Sequence, residues 1–238
     1  MTFFVQTSFS QNLSDTVNVE YSKNSPKRFS LGIGVPTSGL SWIMSPNLNN
    51  FLSEKGIPTK NYTGSIPINL SYQVNKFKFN IEANYGIMNY PSSEGVYKTS
   101  LNSSIAIIST EYAIFADRNN YLYLNFGIGN ADYTQTITVS NLQPTTFSSA
   151  LQNGSSQSII LKNSSTFLDF GLEFFNRTDK KMLSQSFKLG YRYGLENSRW
   201  QSQLVKLFDT PYDRVSSFYF QYLLNLPYRS NFNRPKKN

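Results

Sequence analysis

Apolar and polar residues alternate along eight separate runs of this chain. The runs lie at 29–35, 66–74, 77–87, 97–116, 122–128, 168–174, 187–193 and 218–226. Strict alternation over such lengths is typical of β-strands that have one apolar face and one polar face. In the fourth run the alternation changes phase at Ile107–Ile108, which predicts a β-bulge at that point. A tilted strand of about 9–11 residues crosses a bilayer, and the runs are about that long.

Short and long connections between the runs follow each other in turn. Three are short and rich in turn residues, at Asn75–Lys76, 117–120 and 176–181. Four are longer, at about 36–65, 89–96, 131–165 and 196–214. Short turns at one rim and long loops at the other are typical of outer-membrane barrels, and eight strands place both chain ends at the short-turn rim. The first long loop also predicts a helix, with Ser45 as N-cap, Pro46 at its first position and Gly56 beyond its end.

Alternation alone does not say which face of a barrel is outside. The polar face here is rich in Gly, Ser and Asn, which suits a narrow interior. Its charges have both signs, and a symmetric turn at 176–181 would place Asp169 opposite Lys188. The residues predicted to form an interior ion network are Lys78, Glu82, Glu111, Asp169, Glu173, Lys188 and Arg192. Buried charges need such pairing, so the apolar face is predicted to meet lipid.

Two alternatives to this network stay open. The same residues would form surface ion pairs in a soluble, lipocalin-like barrel, which is apolar inside and polar outside. Asp169 with Glu173, or Glu82 with Glu111, would serve as an acid–base pair in the manner of glycosidases. A structural ion network is the favoured interpretation of these carboxylates.

Composition narrows the choice of function. Aromatic residues make up 16% of the chain, charged residues 15%, and there is no histidine and no cysteine. Without histidine the chain lacks the usual general base near neutral pH and the commonest zinc ligand. The apolar stretches are far shorter than the roughly 18–20 residues of a membrane helix. We therefore predict no catalytic site, metal or cofactor, and the scattered basic residues predict no nucleic-acid partner despite the net charge of +8.

Aromatic residues near the long loops are candidates for membrane-interface anchors. They are Trp42, Tyr191, Tyr193 and Trp200. For the two tryptophans, packing within the loops is the alternative. The predicted organisation is an export-signal remnant and lead-in at 1–26, a barrel at 27–226 and a basic tail at 227–238.

Over residues 27–226 the chain resembles the small OmpA- and OmpX-type barrels, and the OmpW- and PorT-type barrels of similar size. The resemblance lies in the eight runs, the tight turns, the long loops and the charged interior. The last run ends in Tyr222–Leu226, which is similar to the C-terminal signal of such proteins, although Pro227–Asn238 follows it. A mature start at Gln11 would resemble exported Bacteroidota proteins. Enzymes of these groups rest on a catalytic histidine, so the resemblance implies a non-enzymatic barrel.

The predicted protein is an all-β, eight-stranded, antiparallel up-and-down transmembrane barrel of a bacterial outer membrane, with both termini in the periplasm. Its predicted role is that of a structural or accessory subunit of an envelope assembly, or of a surface-interaction protein. The predicted partners are outer-membrane lipid and lipopolysaccharide, with other outer-membrane proteins as further candidates. A narrow channel for small or hydrophobic solutes is the first alternative, and a soluble carrier is the second.

Overall fold

The computed structural model describes residues 28–34, 38–59, 61–88, 92–94, 97–117, 119–140, 156–176, 184–202 and 209–228. In chain order, the elements are β1 Arg28–Ile33, β2 Gly39–Met44, α1 Pro46–Glu54, β3 Tyr62–Val74, β4 Phe77–Met88, β5 Ser92–Glu94, β6 Tyr97–Ala116, β7 Asn120–Ser140, β8 Ser156–Asn176, β9 Ser184–Gly194, β10 Ser198–Arg199, β11 Gln201–Ser202, β12 Tyr212–Asp213 and β13 Ser216–Tyr228. The predicted segment 1–26 and the tail from 229 onward lie outside the described residues.

Eight antiparallel strand positions, which we call walls, close into a ring. β1 and β2 together form one wall, because each pairs with β13 on one side and with β3 on the other. From β3 the pairing runs through β4, β6, β7, β8 and β9 and returns to β13. β5, β10, β11 and β12 add short ladders. The predicted eight-stranded up-and-down barrel is confirmed.

Short turns and both ends of the barrel lie at one rim, which we call the lower rim. The turn between β3 and β4 is two residues long, and its Asn75 has a φ of 55°, a left-handed conformation that asparagine tolerates. The turn between β6 and β7 closes through a 2.8 Å hydrogen bond from the N–H of Asp117 to the carbonyl of Asn120. β1 starts and β13 ends at the same rim, since Phe29 pairs with Tyr228.

The predicted loop at 36–65 is largely regular structure. The pairing of the first wall with β13 is interrupted between Ile33, which pairs with Leu224, and Gly39, which pairs with Gln221. This interruption breaks the alternation and concealed β2 in the sequence. The predicted helix is confirmed as α1, and Gly56 beyond its end has a φ of +67°, as a helix-ending glycine often does.

The predicted bulge at Ile107–Ile108 is wrong. β6 pairs with β7 without a shift from Tyr97 to Ala113, and the irregularity lies just after Ala113. Side chains alternate through the predicted position, because Ile107 is 3% exposed and Ile108 is 66% exposed. The phase of the sequence changes there because the barrel interior itself becomes apolar at that height.

A belt of apolar side chains surrounds the lower part of the barrel. Its most exposed members are Ile81, Tyr85, Ile108, Ile114, Phe115, Phe126, Leu189 and Phe218. Their strand neighbours on the other face are buried and mostly polar. A continuous apolar exterior around a polar interior is the arrangement of a membrane barrel, so the transmembrane assignment is confirmed and the soluble-carrier alternative is wrong. Among the described residues, no helix has the length and apolar character needed to cross a membrane.

β6, β7 and β8 continue past this lipid belt, and there the two faces exchange their chemistry. Ile108, Ile128 and Leu168 pair across the three strands in the top row of the belt. Above that row the outward side chains are Asn102, Ser104, Asp132, Thr134, Thr136, Lys162 and Ser164, and the buried inward ones include Leu101, Ile105, Tyr133, Ile137 and Leu161. We call the segments 97–107, 129–140 and 156–167 the projecting sheet. Ten residues from Ile128 to Thr138 extend it by about 33 Å along the strand.

The predicted loop at 131–165 is therefore mostly strand. Most of its outward side chains are polar, and its large apolar side chains Tyr133, Ile137 and Leu161 are buried, which is the reverse of the pattern in the lipid belt. The sequence pattern that identified membrane-crossing strands could not identify this part, because water and not lipid surrounds it.

Candidate functional site

The seven charged residues of the predicted ion network lie together inside the lower part of the barrel. Lys78 Nζ lies 2.6 Å from an oxygen of Glu173 and 2.9 Å from an oxygen of Glu111. Lys188 Nζ lies 3.0 Å from an oxygen of Glu82 and 3.0 Å from the second oxygen of Glu111. Glu111 therefore bridges the two lysines, and all five side chains are at most 4% exposed.

Arg192 and Asp169 extend the network toward the upper rim. The guanidinium of Arg192 lies 3.5 Å from a carboxylate oxygen of Glu82 and 3.5 Å from one of Asp169. Its Cζ is also 4.0 Å from the ring centre of Tyr219. The carboxylate of Asp169 accepts a hydrogen bond from the amide of Asn125 and a 3.2 Å hydrogen bond from the Tyr219 hydroxyl.

The register of β8 and β9 differs from the predicted one. Asp169 pairs with Arg192, and Glu173 pairs with Lys188, whereas a symmetric turn at 176–181 placed Asp169 opposite Lys188. The connection between the two strands spans residues 177–183, and the pairing is centred about two residues later than predicted, which moves each partner by four residues. Opposite charges still face each other, because both signs recur at four-residue spacing.

The ion pairs join opposite walls across the lumen. Lys78 of β4 reaches Glu173 of β8, and Lys188 of β9 reaches Glu82 of β4. From β13, the Gln221 amide donates to Glu82 at 2.8 Å and to Asn84 at 3.0 Å. Three cations and four carboxylates are thus buried in one contact network. Each carboxylate contacts a cation, which is the condition under which buried charges are tolerated.

An apolar plug fills the interior above the ion network. It consists of Ile43, Leu48, Leu52, Leu101, Ile105, Ile107, Ala131, Tyr133, Ile137, Leu161, Phe167, Trp200 and Val215. Leu48 and Leu52 come from α1, so the helix lies with its apolar face on the upper end of the plug. Phe167 is near the boundary between the two layers, with its ring centre 5.8 Å from the guanidinium of Arg192.

Asp213 fastens α1 to the barrel. Its two carboxylate oxygens accept hydrogen bonds, both 2.9 Å long, from the N–H groups of Asn47 and Leu48. A third hydrogen bond, also 2.9 Å, comes from the indole N–H of Trp200. Asp213 is fully buried and takes the role of helix cap that the sequence assigned to Ser45, whose side chain makes no capping bond. An acid bound to a helix N-terminus from a distant segment left no local sequence signal.

The four predicted interface anchors have different surroundings. Trp42 is 53% exposed on the outer face, with its ring centre 6.4 Å from that of Tyr62. Tyr191 and Tyr193 also face outward, at half-buried and exposed positions. Trp200, in contrast, is completely buried in the apolar plug, so it is no lipid anchor, and the loop-packing alternative describes its environment.

A ring of aromatic pairs near the lower rim was not predicted. Ring centres lie 4.4 Å apart in the pair Phe29–Tyr72, 5.2 Å apart in Phe77–Tyr112 and 4.9 Å apart in Phe187–Tyr222. Aromatic girdles of this kind mark the water interface of membrane barrels. The available signal was the aromatic residue at the turn end of several alternating runs, as at Phe29, Phe77 and Phe187.

The buried carboxylates offer no open site for acid–base chemistry. Asp169 and Glu173 are 1% and 0% exposed, and both contact cations. Within the part of the chain that the structure describes, no group of three or more Asp, Glu, His or Cys residues could hold a metal ion.

A groove with a volume of about 350 Å³ crosses the outer face of the projecting sheet at its base. Its lining includes Tyr85, Asn102, Ser104, Asp132, Thr134 and Lys162. These side chains combine hydrogen-bond donors, acceptors, both charges and an aromatic ring that is 65% exposed at Tyr85. The groove opens directly above the lipid belt, and most of the surface that lines it is apolar, with contributions from Tyr85 and Ile160.

No protein-family model matches the sequence, and no curated protein is significantly similar to it. Among solved structures, the attachment invasion locus protein Ail of Yersinia pestis is 14% identical with a TM-score of 0.41, and the match covers 85% of this chain and 97% of that one. Neisserial surface protein A is 11% identical with a TM-score of 0.42, over 84% and 96% of the two chains. OprG from Pseudomonas aeruginosa is 11% identical with a TM-score of 0.43, over 86% and 95%. Values this low give no information on what this chain binds.

Proposed function

We propose that this protein is a closed, non-enzymatic outer-membrane barrel that acts as a surface-interaction protein through its projecting sheet. The observation that carries the proposal is the exchange of faces above Ile108, Ile128 and Leu168. Below that row the exterior side chains are apolar and suit contact with lipid, and above it three paired strands have a mostly polar outer surface that suits contact with water. In this proposal the lower rim, with both barrel ends, lies in the periplasm and the projecting sheet lies outside the cell.

The filled interior favours this role over that of a channel. Ion pairs cross the lumen at the level of the network, and the apolar plug with α1 fills the level above it. An eight-stranded barrel is only wide enough for its own side chains. We therefore expect no steady conductance in planar bilayers, and a stable conductance of the wild-type protein would support the channel instead.

The outer surface of the projecting sheet supports a binding role. Rows of Ser, Thr and Asn side chains interrupted by a few charges offer many hydrogen-bond donors and acceptors. Long polar strands beyond the membrane contribute nothing to spanning it. Surface segments positioned by a rigid scaffold are where binding functions are usually found.

Site-specific photo-crosslinking in intact cells tests where partners bind. A benzophenone amino acid would replace Thr136 in one variant and Phe126 in the other. Both positions lie on β7 and face outward, but Thr136 is on the projecting sheet and Phe126 is in the lipid belt. We expect defined protein or glycan adducts at Thr136 and only lipid adducts at Phe126. Protein adducts confined to Phe126 would instead indicate an accessory subunit that binds its partner within the membrane plane.

A further inference from the structure

Two arginines and two tyrosines form a cluster on the outer surface, at the end of β9 and in the connection between β9 and β13. We call Tyr193, Arg199, Tyr212 and Arg214 the arginine–tyrosine cluster. Ser198 pairs with Asp213, and Arg199 pairs with Tyr212. Because Asp213 points into the buried plug, alternation along the strand directs Tyr212 and Arg214 to the outside. Arg199 lies opposite Tyr212 on that same outer face.

Both arginine heads are held in place by aromatic and hydroxyl groups. Arg214 Nη1 donates a 2.7 Å hydrogen bond to the hydroxyl of Tyr193, and its Cζ lies 5.6 Å from the ring centre of the same tyrosine. Arg199 Nε donates to the hydroxyl of Thr210 at 3.1 Å, and its Cζ lies 5.7 Å from the ring centre of Tyr212. Arginines ordered in this way lose less conformational entropy when they bind a ligand.

The cluster lies at the height where the lipid belt ends. Tyr193 pairs with Leu168, which belongs to the top apolar row of the belt. The guanidinium of Arg214 is bound to the hydroxyl of this tyrosine and therefore lies at the boundary between hydrocarbon and water. In membrane proteins, tyrosine hydroxyls are common at this boundary, which is also where the lipid headgroups lie.

Arg214 is exposed on this outer face. It forms no ion pair with any residue that the structure describes, although the exposed acids Glu196 and Asp209 belong to the same connection. This is the opposite of Arg192 inside the barrel, which contacts two carboxylates. A planar guanidinium at headgroup level, with no carboxylate of the described residues paired to it, matches the geometry and charge of a phosphate.

We propose that the arginine–tyrosine cluster is a binding site for the phosphate group of an outer-leaflet glycolipid. The sugar part of such a lipid would extend into water beside the projecting sheet, and its acyl chains would lie along the belt below Tyr193. This inference rests on the proposed orientation of the barrel, with the projecting sheet outside the cell, but not on a partner bound to that sheet. Its failure would leave the crosslinking result at Thr136 unaffected, so the two proposals are tested separately.

Native mass spectrometry of the folded full-length protein in detergent micelles tests the site. The probes are a bisphosphorylated disaccharide lipid of the outer leaflet and the same lipid after enzymatic removal of its phosphates. The variants are R214Q, the double variant R199Q/R214Q, and K55Q as a control, since Lys55 is exposed just after α1 and its change also removes one positive charge from the loop side. Resistance of each folded barrel to SDS verifies that the variants are intact.

We expect the wild type and K55Q to retain the phosphorylated lipid equally, and to bind the dephosphorylated lipid at least tenfold more weakly. R214Q should lose about tenfold in apparent affinity, and R199Q/R214Q about a hundredfold, as expected for two charge-assisted contacts. Equal retention by R199Q/R214Q and K55Q would overturn the proposal, as would equal binding of both lipids. Displacement of the lipid by a few millimolar inorganic phosphate would also overturn it, because the site would then select free phosphate and not a lipid.

Discussion

The interior of this barrel has two layers of opposite chemistry. The lower layer is the ion network, in which all seven charged side chains are buried and each contacts at least one opposite charge. The upper layer is the apolar plug under α1. The two layers meet where the lipid belt ends on the outside, near Ile107 and Phe167. The medium around the barrel therefore determines which side chains lie in its interior. Where lipid surrounds the strands, apolar side chains face outward and the interior is polar. Where water surrounds them, apolar side chains face inward and form the core.

The two layers hold the barrel together by different means. Burial of apolar surface from water stabilises the upper layer by about 25 cal/mol per Å². In the lower layer the exterior side chains stay in an apolar medium whether or not the walls close, so hydrophobic burial contributes little to closure. The walls there are joined by ladder hydrogen bonds and by the ion pairs across the lumen. Substitutions in the two layers should consequently differ in how much unfolding free energy they cost and in how far through the barrel their effects extend.

The largest effect is expected from Lys188→Met. Lys188 Nζ contacts Glu82 and Glu111 at 3.0 Å each, and its loss leaves two remaining cations for four buried carboxylates. Breaking a buried ion pair by removing one partner destabilises proteins by about 3–5 kcal/mol. Reversible urea unfolding in lipid vesicles measures the change. A decrease in unfolding free energy of less than about 1 kcal/mol would mean that the charges of the lower layer are not needed to close the barrel.

A second effect should separate the two faces of one strand. We expect Ile107→Ala to cost about 2–5 kcal/mol, because it opens a cavity in the apolar plug. The adjacent Ile108→Ala removes a similar side chain from the lipid-facing side, and lipid can fill the space, so we expect less than about 1 kcal/mol. The same unfolding measurement compares the pair. Equal losses of unfolding free energy in the two variants would contradict the unbroken alternation through these positions and would support the predicted bulge.

Asp213→Asn should have a smaller effect that is confined to the upper layer. The amide keeps one acceptor oxygen but loses the charge that faces the N-terminus of α1, and its NH₂ group would face a donor. Loss of a helix cap of this kind costs about 0.5–2 kcal/mol. Hydrogen exchange should rise in α1 and around Trp200, while the amides of β4 and β9 keep their protection. Increased exchange throughout the barrel would show that the two layers are one cooperative unit.

Sequence reasoning was most successful where lipid surrounds the wall. The eight walls were predictable because lipid on one side and a narrow interior on the other impose strict alternation, whereas α1 was predictable from Pro46 at its start and Gly56 beyond its end. The upper parts of β7 and β8 were missed because outward Thr134 and Thr136 and inward Tyr133 reverse that alternation. The register of β8 and β9 depended on where the connection between them is centred, which no alternation encodes. The hydrogen bonds from α1 to Asp213 join segments about 165 residues apart, and no local sequence pattern predicts them.

The smallest effect is expected from Glu173→Gln, and it addresses the excess of carboxylates in the lower layer. With four carboxylates and three cations, the network carries one negative charge more than it can pair. Glutamine keeps the shape and the oxygen that accepts from Lys78 but removes that excess, so unfolding stability should change by less than about 1 kcal/mol or increase. Glu82→Gln is the matched control, because Glu82 contacts both Lys188 and Arg192 and its neutralisation should cost about 1–3 kcal/mol. If the two variants lose the same stability, then each carboxylate is needed in its charged form, and the network must hold a further cation that balances the fourth.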